Sequence, residues 1–533
     1  MLELLYRLCP LETNFVKNKL TPKASAANTN LFAALASAFP PDLSAFAVET
    51  DTGLLYSWQD LLDATAMMAN LLGSLGLKPG SRVAAQVEKS VETLMLYLAT
   101  LRAGLVYVPL NSAYQVAEMA YFIEDCQPAV VVCSGRNFDW LSKMAFSAGT
   151  AHVFTLNDDR TGSLLHRAAD FPRQHTVANR LSDDLAAIIY TSGTTGRSKG
   201  AMLSHGNLLS NALVLKKYWD WRSSAQVRDV LIHALPIFHV HGLFVAVHGA
   251  LINGSKMIWL SKFDPKVVLQ AMQRATVFMG VPTLYVRLLS EPNLTPQATR
   301  NMRLFVSGSA PLQSETFNDW KQRTGHAILE RYGMSETLMI TSNPCRVQDG
   351  KRIGGTVGKV LPGTKLRVRG DDGQLRPTGE TGVIEVNGPN VFLGYWNMPE
   401  KTAQEFTSDQ YFKTGDVGRI DRRGYVTIVG RSKDLIISGG YNVYPAEIEG
   451  YINALTGVAE SAVVGVPDSD FGEVGVAAVV AKPGALLEPA TIIAQLKATL
   501  ANFKIPKRCY VVQELPRNAM GKVQKNLLRT QFL

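Results

Sequence analysis

Cysteine is scarce in this chain and follows no pairing pattern. The five residues, Cys9, Cys126, Cys133, Cys345 and Cys509, are odd in number, far apart and without a CxxC pair. That excludes a disulfide framework and a zinc knuckle, and it fits a reducing compartment. Long unbroken apolar runs are lacking too. A stretch without Lys, Arg, Asp or Glu, residues 231–255, would reach across a bilayer, but it carries four His, Pro236 and several Gly. Stable membrane insertion is therefore excluded. No basic stripe interleaves with aromatics, and 54 Lys and Arg against 45 Asp and Glu leave only +9. Nucleic acid is a poor partner for such a surface, and small anions are the better fit.

Repeats and low-complexity segments are also missing. With 46% hydrophobic and 19% charged residues over 533 positions, disorder, collagen and coiled coil are excluded as descriptions of the whole. At roughly 150 residues per domain, two to four structural units are expected. From about residue 31 to 412, short apolar runs at 82–86, 129–133, 185–190 and 303–306 alternate with helical patterns. That rhythm is the mark of an α/β protein with mostly parallel sheets. Residues 418–429 read as a hairpin turning at 421–424. The polar, Gly-led 430–434 has the composition of a hinge.

Beyond it, strands at 461–466, 475–480 and 509–512 and helices at 445–455 and 490–500 predict a small α+β domain. The organisation expected is thus a disordered leader at 1–29, a large amino-terminal domain at 30–430, a hinge at 431–433 and a small mobile domain at 434–533. The leader carries Arg7, Lys17, Lys19 and Lys23 but also Glu3 and Glu12, with no continuous apolar core. It is read as a disordered segment of a cytoplasmic protein, with an organellar transit peptide, and hence the mitochondrial matrix, as the alternative.

The strongest local signal is Tyr190-Thr-Ser-Gly-Thr-Thr-Gly-Arg-Ser-Lys-Gly200, which follows an apolar run. Gly193 and Gly196 let backbone N–H groups turn inward, Thr191, Ser192, Thr194 and Thr195 add hydroxyl donors, and Lys199 adds a positive charge. Such a loop suits a polyphosphate. It is not a Walker A loop, because the glycines are three apart and Lys199 precedes Gly200. Further along stand Gly308-Ser-Ala-Pro311, Tyr332-Gly-Met-Ser-Glu-Thr337, Tyr411-Phe-Lys-Thr-Gly-Asp416, Gly430-Arg431, Gly439-Gly-Tyr-Asn-Val-Tyr-Pro445 and Pro516-Arg-Asn-Ala-Met-Gly-Lys522.

Taken in order, these segments resemble the adenylate-forming superfamily, which includes acyl-CoA synthetases, firefly luciferase and nonribosomal peptide adenylation domains. The resemblance implies ATP, Mg²⁺ and coenzyme A as ligands. It gives ATP contacts to Thr191, Ser192, Gly193, Thr194, Thr195, Gly196 and Lys199, to Gly308, Ser309 and Ala310, and to Glu330, Arg331, Tyr332, Gly333, Met334, Ser335 and Thr337. It implies that Glu336 and Thr195 serve the metal, that Tyr332 stacks on adenine and that Thr337 meets the α-phosphate. Asp416, helped by Arg431, would hold the ribose, and Lys522 would span the α-phosphate and the acyl carboxylate. Lys433 would be the hinge, Gly439, Gly440 and Tyr441 would line the thiol tunnel, and His239 would gate the substrate pocket. With Glu336, Thr337 and His239, Lys522 makes up the catalytic set.

Residue chemistry bears on the acyl group. Gly280-Val-Pro-Thr-Leu-Tyr-Val-Arg287 enters a helix, with Thr283 as candidate N-cap and Leu284 and Leu288 on one stripe. Arg287 lies at the edge of that stripe. An arginine aimed into an apolar acyl pocket requires a ligand carboxylate, since an unpaired buried cation is costly. The surrounding segments are similar to the malonate-activating branch of the superfamily, where the matching arginine binds the free carboxylate of malonate or methylmalonate. Arg287, His239 and Ser309 are then the expected contacts of the substrate carboxylates. The implied reaction runs through malonyl-AMP to malonyl-CoA, in a monomer or dimer. Another short-chain or aryl acyl-CoA ligase, or an enzyme that loads a carrier protein, is the alternative.

Overall fold

The computed structural model describes residues 28–533 apart from 192–197, 225–226, 439–440, 469, 501 and 519–520, and leaves out the side chains of Tyr441 and Asn442. Two large sheets carry the amino-terminal part. In the nine-stranded one, Leu329–Met334, Leu304–Ser307, Val277–Gly280, Val230–His233, Lys256–Trp259 and Phe46–Thr50 run parallel, with antiparallel strands outside them. In the seven-stranded one, Leu185–Thr191, Val106–Pro109, Arg82–Gln86, Val130–Cys133 and His152–Thr155 are parallel, and Lys199–Ser204 pairs antiparallel with Leu185–Thr191.

The sequence explains the parallel arrangement. Val130–Cys133, Val277–Gly280 and Leu304–Ser307 are apolar runs buried at every position, as strands covered on both faces must be. Connecting helices start at polar caps. Ser57 and Asp60 close a capping box on Trp58–Ser74, Ser204 and Asn207 one on His205–Tyr218, and Asp264 caps Pro265–Met272. One hydrophobic core, from Leu31 to Val426, joins both large sheets to the antiparallel sheet that ends in Phe412–Ile420 and Val426–Arg431. After the short turn Ser432–Asp434 a fourth sheet begins. Ile436–Ser438, Gly472–Ala481, Val458–Asp468 and Arg508–Val512 build it around two cores of their own.

Two sequence expectations need correction. The helix Pro282–Leu289 is capped by Val281, with Pro282 in its first turn, so Thr283 is a helical residue and not its cap. Asn28 and Thr29, assigned to the leader, are hydrogen-bonded to the large domain: the Thr29 amide and hydroxyl both donate to the Arg180 carbonyl, at 2.8 Å each, and the Asn28 Oδ1 accepts from the Arg180 amide at 3.1 Å. The run 231–255 is divided between the strand Val230–His233, the π-helical His241–Val247 and the short helix His248–Leu251. No helix among the described residues is long and apolar enough to cross a membrane. The described cysteines, Cys126, Cys133, Cys345 and Cys509, are unpaired.

Candidate active site

Parallel neighbouring strands deliver their following segments to one edge of a sheet, the usual place for a ligand in such folds. Here Val230–His233 leads to His239 and His241, Val277–Gly280 to the helix Pro282–Leu289, Leu304–Ser307 to Gly308, Ser309 and Ala310, and Leu329–Met334 to Glu336 and Thr337. Lys522 closes the edge from the small domain. A Cβ built on its neighbour Gly521 would lie 3.8 Å from the Thr283 hydroxyl, and Lys482 bridges to Glu315 at 2.6 Å.

On one side lies an acidic and aromatic group. Asp416 is 3% exposed and pairs across its hairpin with Arg431, whose Nε donates to it at 2.7 Å. The Tyr332 hydroxyl also donates to Asp416, and burial together with that carboxylate holds the Tyr332 pKa well above its ordinary value. A carboxylate with one bond on each oxygen keeps two lone-pair sites for a diol. Glu336 is buried and accepts a hydrogen bond from the Tyr395 hydroxyl at 3.0 Å, while the Lys199 amine lies over the Tyr395 ring at 4.7 Å. Burial raises the Glu336 pKa, and the charges of Arg431 and Lys199 oppose the rise. Thr337 is fully buried, with its carbonyl accepting from Asn390 at 2.6 Å. Gly333 is required where it stands: a Cβ there would lie 2.0 Å from the Leu338 carbonyl oxygen, so no other residue closes this hairpin.

On the other side are the histidines. His239 is partly buried; its Nδ1 accepts from the His241 amide at 3.4 Å, and burial, then Lys522 and Arg331, push its pKa down to about 3. It is neutral at physiological pH. His241 shares a hydrogen bond with Ser309 at 3.2 Å, and Ser309 holds φ +72°, a conformation that side chains other than Gly rarely adopt and that gathers at functional sites. Arg331 lies against Gly308, where a Cβ would meet its Cζ at 2.5 Å. Lys522 stands between the two groups. The crowded cleft walls and Arg431 lower its pKa, Asp416 and Glu336 oppose that, and the side chain itself remains solvent-exposed.

Thus Lys199, Gly308, Ser309, Ala310, Tyr332, Glu336, Thr337, Asp416, Arg431, His239 and Lys522 gather at one sheet edge. Thr191 ends its strand opposite Lys199. Glu330 faces away, its Oε1 accepting from the Leu312 amide at 2.9 Å, and its pKa is pushed up to about 8 by burial. Lys433 sits in the turn between the two bodies. Arg287 is exposed, with its guanidinium 4.8 Å over the Phe263 ring. Ser192, Gly193, Thr194, Thr195, Gly196, Gly439 and Gly440 lie outside the described residues, as does the Tyr441 side chain. Sequence reasoning missed Tyr395, Asn390 and the Ser309–His241 pair; only the clustering of four histidines hinted at the last.

Residues 32–396 match the family described as AMP-binding enzyme, and residues 447–522 match the AMP-binding enzyme C-terminal domain. The chain belongs to the AMP-binding enzyme family. A malonate–CoA ligase of Arabidopsis thaliana is 34% identical over 486 residues, covering 85% of this chain and 78% of its own. A feruloyl-CoA synthase of an Amycolatopsis species is 35% identical over 482 residues, covering 90% and 94%. The crystal structure of ATP-bound MatB from Rhodopseudomonas palustris superposes with a TM-score of 0.91 at 54% identity, over 95% of this chain and 99% of that one. The apo crystal structure of the same MatB, over the same coverage, gives 0.82. The arrangement of this family member therefore follows the ATP-bound form more closely.

Proposed function

We propose that this AMP-binding enzyme ligates malonate to coenzyme A in two steps, with malonyl-AMP as intermediate and AMP and pyrophosphate as products. The observation that carries the reading is the place of Lys522, between Asp416 and Glu336 on the nucleotide side and His239 and Arg331 on the acyl side. A cation there meets both the α-phosphate and the attacking carboxylate, where negative charge is concentrated in the transition state. Asp416 would hold the ribose hydroxyls with Arg431 beside it, and Tyr332 would flank the base. Thr191, Lys199 and the hydroxyl- and Gly-rich loop after Thr191 would cradle the phosphates. Neutral His239 would bond, without neutralising, the reacting carboxylate.

Glu336 fits a single-carboxylate Mg²⁺ site. It is a buried carboxylate with a raised pKa, and no group of three or more His, Cys, Asp or Glu suited to a metal exists among the described residues. Mg²⁺ commonly takes one or two carboxylates and completes its shell with substrate phosphates. When bound, it would supply neutralisation of phosphate charge. Thr195, assigned with it, lies outside the described residues.

In the second step the thiol of coenzyme A attacks the malonyl carbonyl carbon, the thioester forms, and the carbonyl–phosphate oxygen bond breaks to release AMP. Rotation about Lys433 would withdraw Lys522 and bring residues 439–441 to the thiol path. Similarity to the malonate–CoA ligase supports malonate; equal similarity to a feruloyl-CoA synthase makes an aryl acid the second reading. Malonate-dependent exchange of labelled pyrophosphate into ATP, without coenzyme A, tests the first step. Exchange with malonate is expected. Exchange with ferulate and none with malonate would favour the second reading.

A further inference from the structure

The hairpin that carries Lys199 is clasped from behind by one helix. Its strands, Leu185–Thr191 and Lys199–Ser204, set Thr191 opposite Lys199 and Tyr190 opposite Gly200. The short strand Gly394–Tyr395 adds to the outer edge, with Tyr395 opposite Ala201. Side chains alternate between faces along a strand, and directly paired residues share a face. Thr191, Lys199 and Tyr395 therefore stand on one face, where the Lys199 amine lies over the Tyr395 ring and the Tyr395 hydroxyl reaches Glu336. Tyr190, Gly200 and Trp396, whose amide donates to the Gly200 carbonyl at 2.8 Å, stand on the other. A Cβ on Gly200 would lie 3.3 Å from that of Trp396, so this rear face is closed tightly.

The helix Val116–Cys126 grips the rear face. Tyr121 and Asp125, at i and i+4, lie on one side of it. The Tyr121 hydroxyl donates to the carbonyl of Ser198, next to Lys199, at 2.6 Å. The Asp125 carboxylate accepts from the Tyr190 hydroxyl, and the Asp125 carbonyl accepts from the Trp396 indole at 3.0 Å and the Asn397 amide at 3.1 Å. Arg82 fixes the helix end: it donates to the carbonyls of Cys126 and Gln127, at 2.8 Å each, and lies 5.2 Å from the Trp396 ring centroid. One helix face thus holds the last strand residues before the hydroxyl- and Gly-rich loop, the first residue after it, and the strand that carries Tyr395. Burial raises the Asp125 pKa, and the Tyr190 bond opposes the rise. A half-buried carboxylate behind a phosphate-binding rim is unfavourable both for its lost water and for its charge. Its bond to Tyr190 explains its presence there.

We propose that Tyr121 and Asp125 are positioning residues for the polyphosphate of ATP, holding Thr191, Lys199 and Tyr395 at fixed spacing from the face that the nucleotide does not touch. This rests on the reading that Thr191 and Lys199 meet the phosphates, and not on which acid is activated. A triphosphate is a flexible, multiply charged chain, so donors held in place before it arrives bind it more tightly than donors that must first be ordered. The candidate ribose contacts, Asp416 and Arg431, stand on a different sheet and do not share the clasp. Loosening it should therefore weaken the hold on the β- and γ-phosphates and spare the nucleoside end.

Calorimetric titration of MgATP and of AMP, without acid or coenzyme A, tests this in the wild type and in Tyr121→Phe, Asp125→Ala and Asp125→Asn. The wild type is expected to bind MgATP more tightly than AMP. Tyr121→Phe removes one hydroxyl and is expected to weaken MgATP about three- to tenfold, and AMP by less than about twofold. Asp125→Ala should do the same, and Asp125→Asn should recover most of the loss, because its amide oxygen still accepts from Tyr190. Tyr121→Phe keeps the ring, so it still reports if Asp125→Ala folds poorly. Equal weakening of both nucleotides, as a merely structural role would give, unchanged MgATP affinity in Tyr121→Phe, or Asp125→Asn as weak as Asp125→Ala would overturn the inference. A wild type that prefers MgATP beside any of those results leaves the phosphate reading standing; a wild type that binds the two nucleotides alike removes both.

Discussion

Lys522 is exposed, yet it stands within the field of Asp416, Glu336, Arg331 and His239. Lys522→Ala is expected to slow pyrophosphate exchange about a hundred- to a thousandfold, the size of effect seen when an oxyanion donor is removed. Thiolysis of supplied malonyl-AMP should persist, and losing both together would contradict the assignment of Lys522 to the first step alone. Single residues were legible in the sequence where their segment is short and local: Asp416, Tyr332, Glu336 and Lys522 sit in distinctive polar turns. Tyr395 was not, because it meets Glu336 across 59 residues with no local signal, and His241 meets Ser309 across 68. The burial of Arg331 is a property of everything around it, which no local pattern encodes.

At the scale of elements, the turn Ser432–Asp434 joins the strand Val426–Arg431, with Arg431 on Asp416, to the first strand of the small domain. Proline at its centre would fix φ and restrict the preceding Ser432. Lys433→Pro is therefore expected to retain exchange and lose most thioester formation; full thioester formation would argue against rotation at this turn. Strand positions were legible because buried parallel strands are apolar runs. The run 461–466 extends to Val458–Asp468 because pairing with Gly472–Ala481 continues beyond the apolar stretch. The Thr283 cap failed because Pro282 already starts the helix, with its fixed φ and missing N–H.

The whole molecule holds buried histidines in neutral form. Burial lowers His205 from 6.5 to about 4 and His248 from 6.5 to about 3; the His205 Nδ1 accepts the Leu31 amide at 3.0 Å, and His248 bonds the Tyr97 hydroxyl at 2.8 Å. Folded pKa values below the unfolded one mean that unfolding takes up protons, so their stabilisation is complete above pH 6.5 and is lost as pH falls toward 4 and 3. At pH 5 each withholds on the order of 2 kcal/mol. The thermal midpoint should fall between pH 7.5 and pH 5; an unchanged midpoint would contradict the neutral burial of these rings.

The division into a large α/β part and a small α+β part was legible in composition and turn signals, whereas the meeting of the two at Lys522 is a tertiary fact. The proposed function turns on that meeting. Its most direct test is mass analysis of products from purified protein, MgATP and coenzyme A, offered malonate, acetate, octanoate and ferulate in separate reactions. Malonyl-CoA with AMP, and little thioester from the other three, is the predicted result; a monocarboxylate giving the thioester while malonate gives none would contradict it.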